Sequence, residues 1–550
     1  MNNITQPPLF VKAEAPVLQP FNVVKGWLRL RRCFLRAALT NKAEIGIIEK
    51  NMDAEGCDMV FYSTRSKAHT ATSMDAVLKG IAPDGGLYTP LDFDAMKVNL
   101  GDLLGMSAVE ISAAIVGRIL NDFEPDEMRA LIEAAYADKF ETADLTPVEK
   151  VGDDFVLELF RGPTSAFKDV ALSVLPRLIV ASRQKLGVED DIVILTATSG
   201  DTGKAALEGF HDVAGTRIIV FYPDGGVSDV QKAQMVTQEG DNVRVCAVRG
   251  NFDDAQTGVK NIFADDGANG WAAASSARLS SANSINIGRL APQVAYFFKA
   301  YCDLVLRGEI TLGDPVNFVV PTGNFGDILA GEFARRMGLP VAKLVCASNA
   351  NDVLTDFIHT GVYDRRREFF RTASPSMDIL VSSNLERYLF LASGGDFDLV
   401  SGLMAQLRDE GVYTAPEALM EEMRAHFAAG CADDERALQA IGDVWREYEY
   451  LMDTHTAVGW TVMQDFKARE DNGYVNIVLS TASPYKFCRD VLAAVEDAGP
   501  EDGFAAMDRL NAITGVPVPP PLAKLRDMPV RFTDCVDRDA MLEYVKAALK

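Results

Sequence analysis

The chain contains 550 residues, of which 48% are hydrophobic and 24% are charged, and this balance is typical of a soluble globular protein with roughly two to four domains. Its formal net charge of −24 argues against nucleic-acid binding, which needs a basic surface. No uninterrupted apolar run is long enough to span a membrane. An anionic ligand would have to be held by a local cluster of donors, because the overall field repels it.

The eight cysteines are scattered along the chain without C-x-x-C spacing, and the five histidines are dispersed. This pattern indicates reduced thiols in a cytoplasmic protein rather than a disulfide framework or a zinc site. We therefore predict a cytoplasmic protein that binds no metal.

Residues 1–58 differ in composition from the rest of the chain. Prolines at positions 7, 8, 16 and 20 precede a basic, apolar patch around Trp27 and Phe34. Such a patch is found in transit peptides and membrane-surface helices, but acidic residues follow it and serines are few. We predict a poorly ordered extension, or upstream sequence wrongly joined to the gene, with Met59 as the natural start.

Residues 59–145 predict a small helical domain. A strand pattern at 61–65 is followed by a helix around Met74 and by a Gly-Gly turn at 85–86. Two amphipathic helices come next, one marked by isoleucines at 111, 115 and 119 and the other by apolar residues at 128, 131 and 132.

Beyond residue 145, apolar strand-like runs alternate with helical stretches, which indicates parallel sheets covered on both faces. The predicted strands are 155–160, 192–197, 217–222, 243–248, 316–321, 341–347 and 474–479. The stretch 397–458 has an almost entirely helical pattern, and the tail predicts a short strand and a final helix from Asp539. Pro176 should kink or restart the helix in which it lies.

Lys168 lies in a turn between the first of these strands and a helix. The turn reads Gly-Pro-Thr-Ser-Ala-Phe-Lys from Gly162 onward. A lysine flanked by Phe167 near a sheet edge is partly removed from water, which disfavours the ammonium form and yields a nucleophilic amine. Such an amine can form an imine with a carbonyl cofactor, whereas most single lysines are solvated surface residues.

Three further loops follow predicted strands, and ligands bind at such strand ends in open parallel sheets. Residues 196–203 offer hydroxyls and amides to an anion such as a carboxylate, although an ordinary helix cap has the same pattern. Residues 321–327 place two glycines before a helix, which lets the backbone approach a phosphate, provided that Asp327 turns its carboxylate away. At 480–484 a hydroxyl is positioned either to bond a cofactor ring nitrogen or to form a turn before Pro484.

A nucleophilic lysine, an anion loop, a phosphate loop and a strand-end hydroxyl together indicate a pyridoxal phosphate site. From about Met59 to the C-terminus the chain resembles the threonine synthase family, of the longer type found in many bacteria and fungi. The motifs that carry the resemblance are residues 61–65, 82–88, 162–172, 198–203, 281–289, 321–327, 455–459 and 480–487. Residues 1–58 lie outside it.

The resemblance implies an α/β protein with the fold type II (beta-family) architecture of pyridoxal phosphate enzymes, which has two open, mostly parallel-sheet domains. We expect an N-terminal domain at 59–145, a large domain at 146–189 and 301–550 with a helical insertion at about 397–458, and a small domain at 190–300. The implied reaction converts O-phospho-L-homoserine and water to L-threonine and phosphate, by γ-elimination and then β-addition of water. It is the last step of threonine biosynthesis. A monomer or homodimer without nucleic-acid or membrane partners is expected.

The resemblance also implies roles for individual residues. Lys168 would form the Schiff base with pyridoxal 5'-phosphate and shuttle protons, and Thr481 would face the pyridine nitrogen. The cofactor phosphate would be held by Gly323, Asn324, Phe325, Gly326 and Asp327. The substrate carboxylate would be held by Ser199, Gly200, Asp201 and Thr202. The leaving phosphate would be held by Asn283, Ser284, Asn286 and Arg289, with Arg65 a further candidate, because guanidinium groups bind phosphate bidentately.

Three alternatives stay open at this point. A dehydratase or sulfhydrylase of the same fold would share the lysine and the phosphate loop but would not need a second phosphate pocket, so residues 281–289 discriminate. A related protein without turnover would bind the cofactor or phosphorylated ligands only. A nucleotide-binding sheet protein would need a G-x-G-x-x-G fingerprint, which this sequence lacks.

Overall fold

The computed structural model describes residues 59–470, 472–496 and 502–549. The prediction made for residues 1–58 concerns a segment outside these described residues. Among the helices that are described, none is long and apolar enough to cross a lipid bilayer.

The N-terminal segment combines a small sheet with the predicted helices. Its elements are β1 (Phe61–Ser63), β2 (Ser66–Ala71), α1 (Ser73–Lys79), β3 (Tyr88–Pro90), α2 (Leu100–Leu103), α3 (Ala108–Ile119) and α4 (Pro125–Tyr136). The strands form an antiparallel sheet in the order β2-β1-β3. Helix α3 buries Ile111, Ile115 and Ile119 on one face, as its spacing predicts. Strand β1 falls within the strand pattern predicted at 61–65, whereas β2 and β3 were not predicted, because the sequence of β2 is largely polar and β3 has only three residues.

The central part of the chain alternates strands and helices. Its elements are β4 (Val148–Val151), β5 (Asp154–Glu158), α5 (Lys168–Lys185), β6 (Asp191–Ala197), α6 (Asp201–Phe210), β7 (Thr216–Pro223), α7 (Asp229–Val236), β8 (Val243–Arg249), α8 (Phe252–Asn269), α9 (Trp271–Ala274), β9 (Ala277–Ser280), α10 (Ile287–Arg307), β10 (Val316–Pro321), α11 (Gly326–Met337) and β11 (Val341–Ser348).

The C-terminal part is richer in helices. Its elements are α12 (Val353–Thr360), β12 (Val362–Asp364), α13 (Leu385–Ala392), α14 (Phe397–Asp409), β13 (Val412–Thr414), α15 (Glu417–His426), β14 (Phe427–Cys431), α16 (Asp434–Tyr448), α17 (Thr454–Glu470), β15 (Val475–Ser480), α18 (Cys488–Val495), α19 (Gly503–Thr514), α20 (Pro520–Ala523), β16 (Cys535–Asp537) and α21 (Met541–Ala548). Short 3-10 turns lie at Pro375–Met377, Pro484–Phe487, Lys524–Asp527 and Arg538–Ala540.

Two sheets organise these elements. The larger has the order β14-β11-β10-β15-β5-β4, and its neighbouring strands are parallel except for the antiparallel pair β4–β5. The smaller has the order β16-β8-β7-β6-β9 and is parallel throughout. Strand β10 is buried along its whole length, as expected for a sheet covered by helices on both faces. The predicted α/β architecture is confirmed.

The prediction missed β13 and β14 inside the stretch 397–458, and it misplaced β16. Strand β14 lies inside the stretch predicted to be helical and pairs with β11 at the edge of the larger sheet. Its sequence, Phe-Ala-Ala-Gly-Cys, lacks β-branched residues, so its strand conformation comes from pairing rather than from local preference. Strand β16 belongs to the tail that we assigned to the large domain, yet it pairs with β8 of the smaller sheet.

Helix α5 continues through Pro176 rather than restarting there. Proline has no backbone N–H, so the carbonyl of Leu172 lacks its helical donor. A Cβ atom added to Gly209 of α6 would lie 2.0 Å from that carbonyl oxygen. The two helices therefore approach closely at the carbonyl that Pro176 leaves unpaired, and only glycine allows this approach.

The Gly209→Ala variant tests this contact. We expect it to lower the free energy of unfolding by about 1–3 kcal/mol, because backbone atoms would have to move apart to admit the methyl group. Denaturant unfolding of the variant and the parent measures the difference. The matched control is Gly402→Ala in α14, where an added Cβ meets no atom within 4 Å. That change should stabilise the helix by about 0.5–1 kcal/mol. Equal stability of Gly209→Ala and the parent would contradict the close approach.

Candidate active site

Three loops meet at one edge of the larger sheet because their strands are neighbours. Strands β10, β15 and β5 lie side by side and run in the same direction. Their carboxyl ends therefore lie at the same edge, where ligands bind in open α/β sheets. The loops that leave these ends are residues 322–325, 481–483 and 159–167. Lys168 begins the helix that follows the last of them.

Backbone hydrogen bonds join the turn before Lys168 to the loop after β15. The amide of Phe167 donates to the carbonyl of Thr481 at 2.8 Å, and the amide of Ser483 donates to the carbonyl of Ser165 at 3.1 Å. Residues 166 and 482 form an antiparallel bridge between these bonds. Lys168 is thus held beside Thr481, although more than three hundred residues separate them in the chain.

The buried side chain of Asp169 stabilises the same turn. Its carboxylate accepts hydrogen bonds from the amide of Thr164 at 2.9 Å and from the Thr164 hydroxyl at 2.5 Å. A Cβ atom on Gly162 would lie 2.5 Å from the Cβ of Asp169, so glycine is required by packing here. Ser165 has a φ of +57°, which is uncommon for a residue other than glycine. The turn is therefore held in an unusual shape by a buried carboxylate.

A cavity of about 680 Å³ lies in front of these loops, a size suited to a small ligand. Most of the site residues predicted from the sequence line it. They are Arg65, Lys168, Ser199, Asp201, Thr202, Asn283, Ser284, Arg289, Gly323, Asn324, Phe325, Gly326, Asp327 and Thr481. The fold thus brings Lys168, the glycine-rich loop and much of the segment 281–289 to one chamber. Gly200 and Asn286 are not part of its lining.

The prediction that Asn286 holds a phosphate needs correction. Asn286 is fully buried and caps α10, where its side-chain oxygen accepts from the amide of Gly288 at 2.9 Å. Its side-chain amide donates to the carbonyl of Val77 at 2.9 Å and to that of Ser281 at 3.2 Å. These bonds occupy the donors of the side chain, so Asn286 shapes the loop instead of contacting a ligand.

Gly200 also has a structural role. Its φ of +136° lies in a region that favours glycine, and an added Cβ would lie 2.4 Å from the side-chain amide of Gln231. Its own amide donates to the hydroxyl of Thr198 at 3.0 Å. The predicted contact between the Gly200 amide and a substrate carboxylate is therefore replaced by a turn-forming bond.

Asp201 cannot use its side chain to hold a substrate carboxylate. Burial alone would raise the pKa of Asp201, but the charges of Lys486 and Lys168 overcome this effect and hold the pKa far below its usual value. The side chain is consequently an anion and repels another carboxylate. Its backbone amide lies in the first turn of α6, where amides have no intrahelical acceptor, and it stays available to a ligand.

Lys168 is buried, with 8% of its surface exposed. Its Nζ lies 4.3 Å from the centre of the Phe167 ring, the neighbour from which we predicted desolvation, and 3.7 Å from Oδ2 of Asp201. Burial lowers the pKa of Lys168 to about 8, with Asp201 opposing and Arg289 adding to the decrease. About a tenth of the amine is therefore uncharged at pH 7, and the uncharged amine is the form that reacts with a carbonyl.

The glycine-rich loop ends at an unusual helix start. Phe325, which precedes α11, has a left-handed φ of +59°, and its side chain does not cap the helix. The amides of the first helical turn have no intrahelical acceptors, and together with the helix dipole they favour an anion. A Cβ on Gly326 would lie 3.0 Å from the Cβ of Ser284, so this loop packs directly against residues 281–289.

Two buried titratable residues, Asp327 at the start of α11 and Arg289 on α10, line the chamber and interact electrostatically. Asp327 accepts a hydrogen bond from the hydroxyl of Tyr296, and burial raises the pKa of Asp327 to about 7. Arg289 donates to the carbonyl of Ala282 at 2.8 Å, and burial lowers its pKa to about 10, so it stays cationic. Within the described residues, Nε of Arg289 and Oδ2 of Asp327 have no hydrogen-bond partner. Arg289 thus has one buried donor without an acceptor among the described residues.

Arg65 is less available to a phosphate. Its guanidinium donates two hydrogen bonds of 2.8 Å to the carboxylate of Glu386, in a bidentate pair. A ligand would have to compete with this carboxylate. Arg289 is therefore the stronger candidate for anion binding.

The sequence did not identify several polar residues of the site. Lys486, in the 3-10 turn after β15, donates to Asp201 from a fully buried position, and Gln231 and Ser376 bind the same carboxylate. His455 lies in the cavity wall, where its Nδ1 is 2.8 Å from Asp453 and its Nε2 accepts from the amide of Ser376 at 3.2 Å. Both Lys486 and His455 belong to motifs named in the sequence analysis, 480–487 and 455–459. Membership of these motifs was the only sequence feature that could have pointed to them.

Comparison with known proteins identifies the family. Family profiles described as "Threonine synthase N terminus", "Pyridoxal-phosphate dependent enzyme" and "Threonine synthase, C-terminal" match residues 60–136, 149–481 and 456–548. The threonine synthase of Eremothecium gossypii is 34% identical, over 89% of this chain and 98% of its own length. The chain belongs to the pyridoxal-phosphate-dependent threonine synthase family. The family and cofactor predicted from the sequence are confirmed.

A solved structure and a second group of relatives extend this comparison. The pyridoxal-phosphate-bound threonine synthase of Brucella melitensis is 35% identical, covers 90% of this chain and all of its own, and superposes with a TM-score of 0.78. The fold type II assignment is thereby confirmed. Threonine synthase-like 1 of Homo sapiens is 39% identical over 77% of this chain. The chain spans 58% of the length of that relative.

The residues around the chamber fit pyridoxal phosphate. The first-turn amides of α11 form an anion site at the end of the glycine-rich loop. A Cβ on Gly323 would lie 3.1 Å from Cα of Met377 and 3.2 Å from the carbonyl oxygen of Ser376, so the loop keeps its course only with glycine. Lys168, Thr481 and Arg289 line the same chamber. An amine for the aldehyde, an anion site for the phosphate and a polar partner for the ring nitrogen are the groups that bind this cofactor.

The pH dependence of cofactor attachment tests the environment of Lys168. Only the neutral amine attacks the aldehyde, so the rate should rise with pH, reach half its maximum near pH 8 and then level off. The measurement is stopped-flow absorbance after cofactor-free protein is mixed with pyridoxal phosphate. Borohydride trapping and peptide mass analysis should show the reduced cofactor attached to Lys168. The Lys168→Ala variant, which lacks this amine, gives the background signal. A half-maximal pH near 10.5 would mean that the amine is solvated.

Proposed function

We propose that this chain is a threonine synthase that converts O-phospho-L-homoserine and water to L-threonine and inorganic phosphate, the last step of threonine biosynthesis. The observation that carries the proposal is the single chamber lined by Lys168, by the loop 323–327 and by residues 281–289. A substrate that carries its own phosphate needs an anion site besides the one for the cofactor. Arg289, with one donor uncommitted among the described residues, supplies it.

The chain's own groups have distinct tasks in this proposal. The first-turn amides of α11 and Gly323 would hold the cofactor phosphate, and the hydroxyl of Thr481 would be the partner of the ring nitrogen. When bound, pyridoxal phosphate supplies an aldehyde that joins the substrate amine and a ring that takes up electrons released at Cα. A neutral hydroxyl cannot keep that ring nitrogen protonated as a carboxylate would, so the other donors of the site must stabilise more of the charge.

The substrate is held at its two anionic ends. The amides of Asp201 and Thr202, at the start of α6, bind its carboxylate, with Ser199 beside them in the lining. Arg289, Asn283 and Ser284 bind its phosphate. Arg289 is buried among the loops 281–289 and 323–327, where a charge-assisted bond is stronger than in water.

Lys168 moves protons once the substrate amine has replaced it. Its pKa of about 8 leaves the amine able to take a proton from Cα and to return one, because an efficient acid–base group has a pKa near the working pH. Water is consumed at Cβ, and phosphate leaves from Cγ, so that the atoms of substrate and water are all found in threonine and phosphate.

A cytoplasmic location, the absence of nucleic-acid binding and a monomeric or homodimeric state stay predictions. The scattered cysteines support the cytoplasmic location. The net charge of −24 supports the absence of nucleic-acid binding.

Phosphate release from O-phospho-L-homoserine, with the amino-acid product identified by mass and chromatography, tests the proposal. We expect one threonine per phosphate, and Lys168→Ala should lower turnover by about a thousandfold or more, because base and covalent anchor are lost together. Lys185→Ala, an exposed lysine at the other end of α5, is the matched control and should keep parental turnover. Phosphate without threonine would mean a different lyase reaction, and binding without phosphate release would mean a ligand-binding protein.

The Arg289→Met variant tests the substrate-phosphate subsite. We expect kcat/KM for O-phospho-L-homoserine to fall about 10- to 100-fold, the value of one or two charge-assisted hydrogen bonds. Inhibition by inorganic phosphate should weaken in parallel, because product and substrate phosphate share the subsite. Arg307→Met, on the same helix but outside the cavity lining, is the control. Unchanged kinetics for Arg289→Met would show that the phosphate binds elsewhere.

A further inference from the structure

Lys486 is a fully buried lysine whose charge lies beside the catalytic amine. It stands in the 3-10 turn Pro484–Phe487, directly after the loop that carries Thr481. No part of its side chain is exposed. Its Nζ donates to Oδ1 of Asp201 at 2.6 Å and to the carbonyl of Thr164 at 3.2 Å. A buried ammonium is tolerated only when it is paired and hydrogen-bonded in this way.

We propose that Lys486 is a positioning residue that serves as the permanent counter-ion of Asp201, and that it thereby leaves the amine of Lys168 without a carboxylate of its own. This inference rests on the proposed role of Lys168 and assigns a further residue to the same site. Lys486 is not part of the cavity lining; it acts on Lys168 through its bond to Asp201 and through the repulsion between the two ammonium groups.

The geometry around Asp201 distinguishes the two lysines. Oδ1 accepts the 2.6 Å bond from Lys486 and a 2.8 Å bond from Nε2 of Gln231. Oδ2 accepts from the hydroxyl of Ser376 at 3.2 Å and lies 3.7 Å from Nζ of Lys168. The last distance exceeds that of a hydrogen bond. Asp201 is therefore hydrogen-bonded to Lys486 and only electrostatically coupled to Lys168.

One carboxylate between two ammonium groups leaves an excess positive charge in a buried place. Loss of a proton from one lysine relieves this excess, and the lysine with the weaker contact loses it first. Burial is the largest cause of the low pKa of Lys168, and Lys486 acts in the same direction, whereas Asp201 opposes it. The charged or titratable groups that face Lys168 or its partner Asp201 are Asp201, Arg289, Lys486, Asp327 and His455, with Asp169 next to it on α5.

Removal of the Lys486 charge should therefore make Lys168 more basic. In Lys486→Met the side chain keeps a similar length, but Asp201 is left with Lys168 as its nearest cation. The ammonium form of Lys168 is then stabilised by a full ion pair. We expect the half-maximal pH for cofactor attachment to rise by about one to two units, with the plateau rate at high pH unchanged. Below the midpoint the reaction should be about 10- to 100-fold slower.

The experiment uses the full-length, cofactor-free chain and pyridoxal phosphate. The neutral amine of Lys168 adds to the aldehyde carbon and water leaves, so the rate follows the fraction of neutral amine. The pH dependence of this rate is measured by stopped-flow absorbance for the parent and the variants, and borohydride trapping assigns the label to Lys168.

Three variants keep the test independent of folding defects. Lys486→Arg retains the charge and should keep the parental midpoint. Asp201→Asn removes the carboxylate and should shift the midpoint to lower pH, opposite to Lys486→Met. Lys204→Met is the matched control: Lys204 is another buried lysine, paired with Glu208 at 3.2 Å, and it does not face Lys168. The Lys204→Met change should lower the melting temperature of the protein without moving the half-maximal pH for cofactor attachment.

The outcomes separate this inference from the proposed function. A parental midpoint in Lys486→Met, or shifts of Lys486→Met and Asp201→Asn in the same direction, would overturn the role of Lys486 while leaving the catalytic lysine in place. Failure of the parent protein itself to attach pyridoxal phosphate at Lys168 would instead overturn the proposed function.

Discussion

Three parallel strands lie side by side at the centre of the larger sheet, and the site depends on their pairing. Strands β10, β15 and β5 come from distant parts of the chain, yet their carboxyl ends meet at one edge. The bonds between residues 165–167 and 481–483 then hold Lys168 relative to the loop after β15. Because a one-residue slip would turn every side chain of a strand to the opposite face, the packing of the core and the geometry of the site are specified together.

Much of this architecture could be predicted, because strands buried on both faces appear as apolar runs in the sequence. The observed bounds of β6, β10 and β11 agree with the predicted ones to within one residue at each end. Strand β14 was missed, since its alanines and glycine favour no strand and only its pairing with β11 determines its conformation. The position of β16 was missed for a related reason, because three residues give no periodicity and their partner lies far away in the chain.

At the site, the loops could be identified from the sequence, but the direction of individual side chains could not. Asn286 stands between residues that line the chamber, yet a carbonyl of Val77, 209 residues away, engages its side chain. Lys486 is six residues beyond the end of β15 and is drawn inward by Asp201 and Thr164. Such orientations follow from tertiary hydrogen bonds, which leave no local pattern. A motif therefore predicts which segment reaches a site more reliably than which atoms of it face the ligand.

The electrostatics of the chamber explain how an acidic protein can hold anionic ligands. Lys168, Lys486 and Arg289 are gathered around the two carboxyl groups of Asp201 and Asp327. Asp201 is fully committed to cations and hydroxyl or amide donors. Asp327 lies at the start of α11, where an ionised carboxylate would repel the cofactor phosphate, but burial raises its pKa to about 7. A bound phosphate would raise that pKa further, because a second negative charge disfavours ionisation. With the cofactor phosphate bound at this helix start, as proposed, Asp327 would hold a proton, and its carboxyl group would not need to turn away.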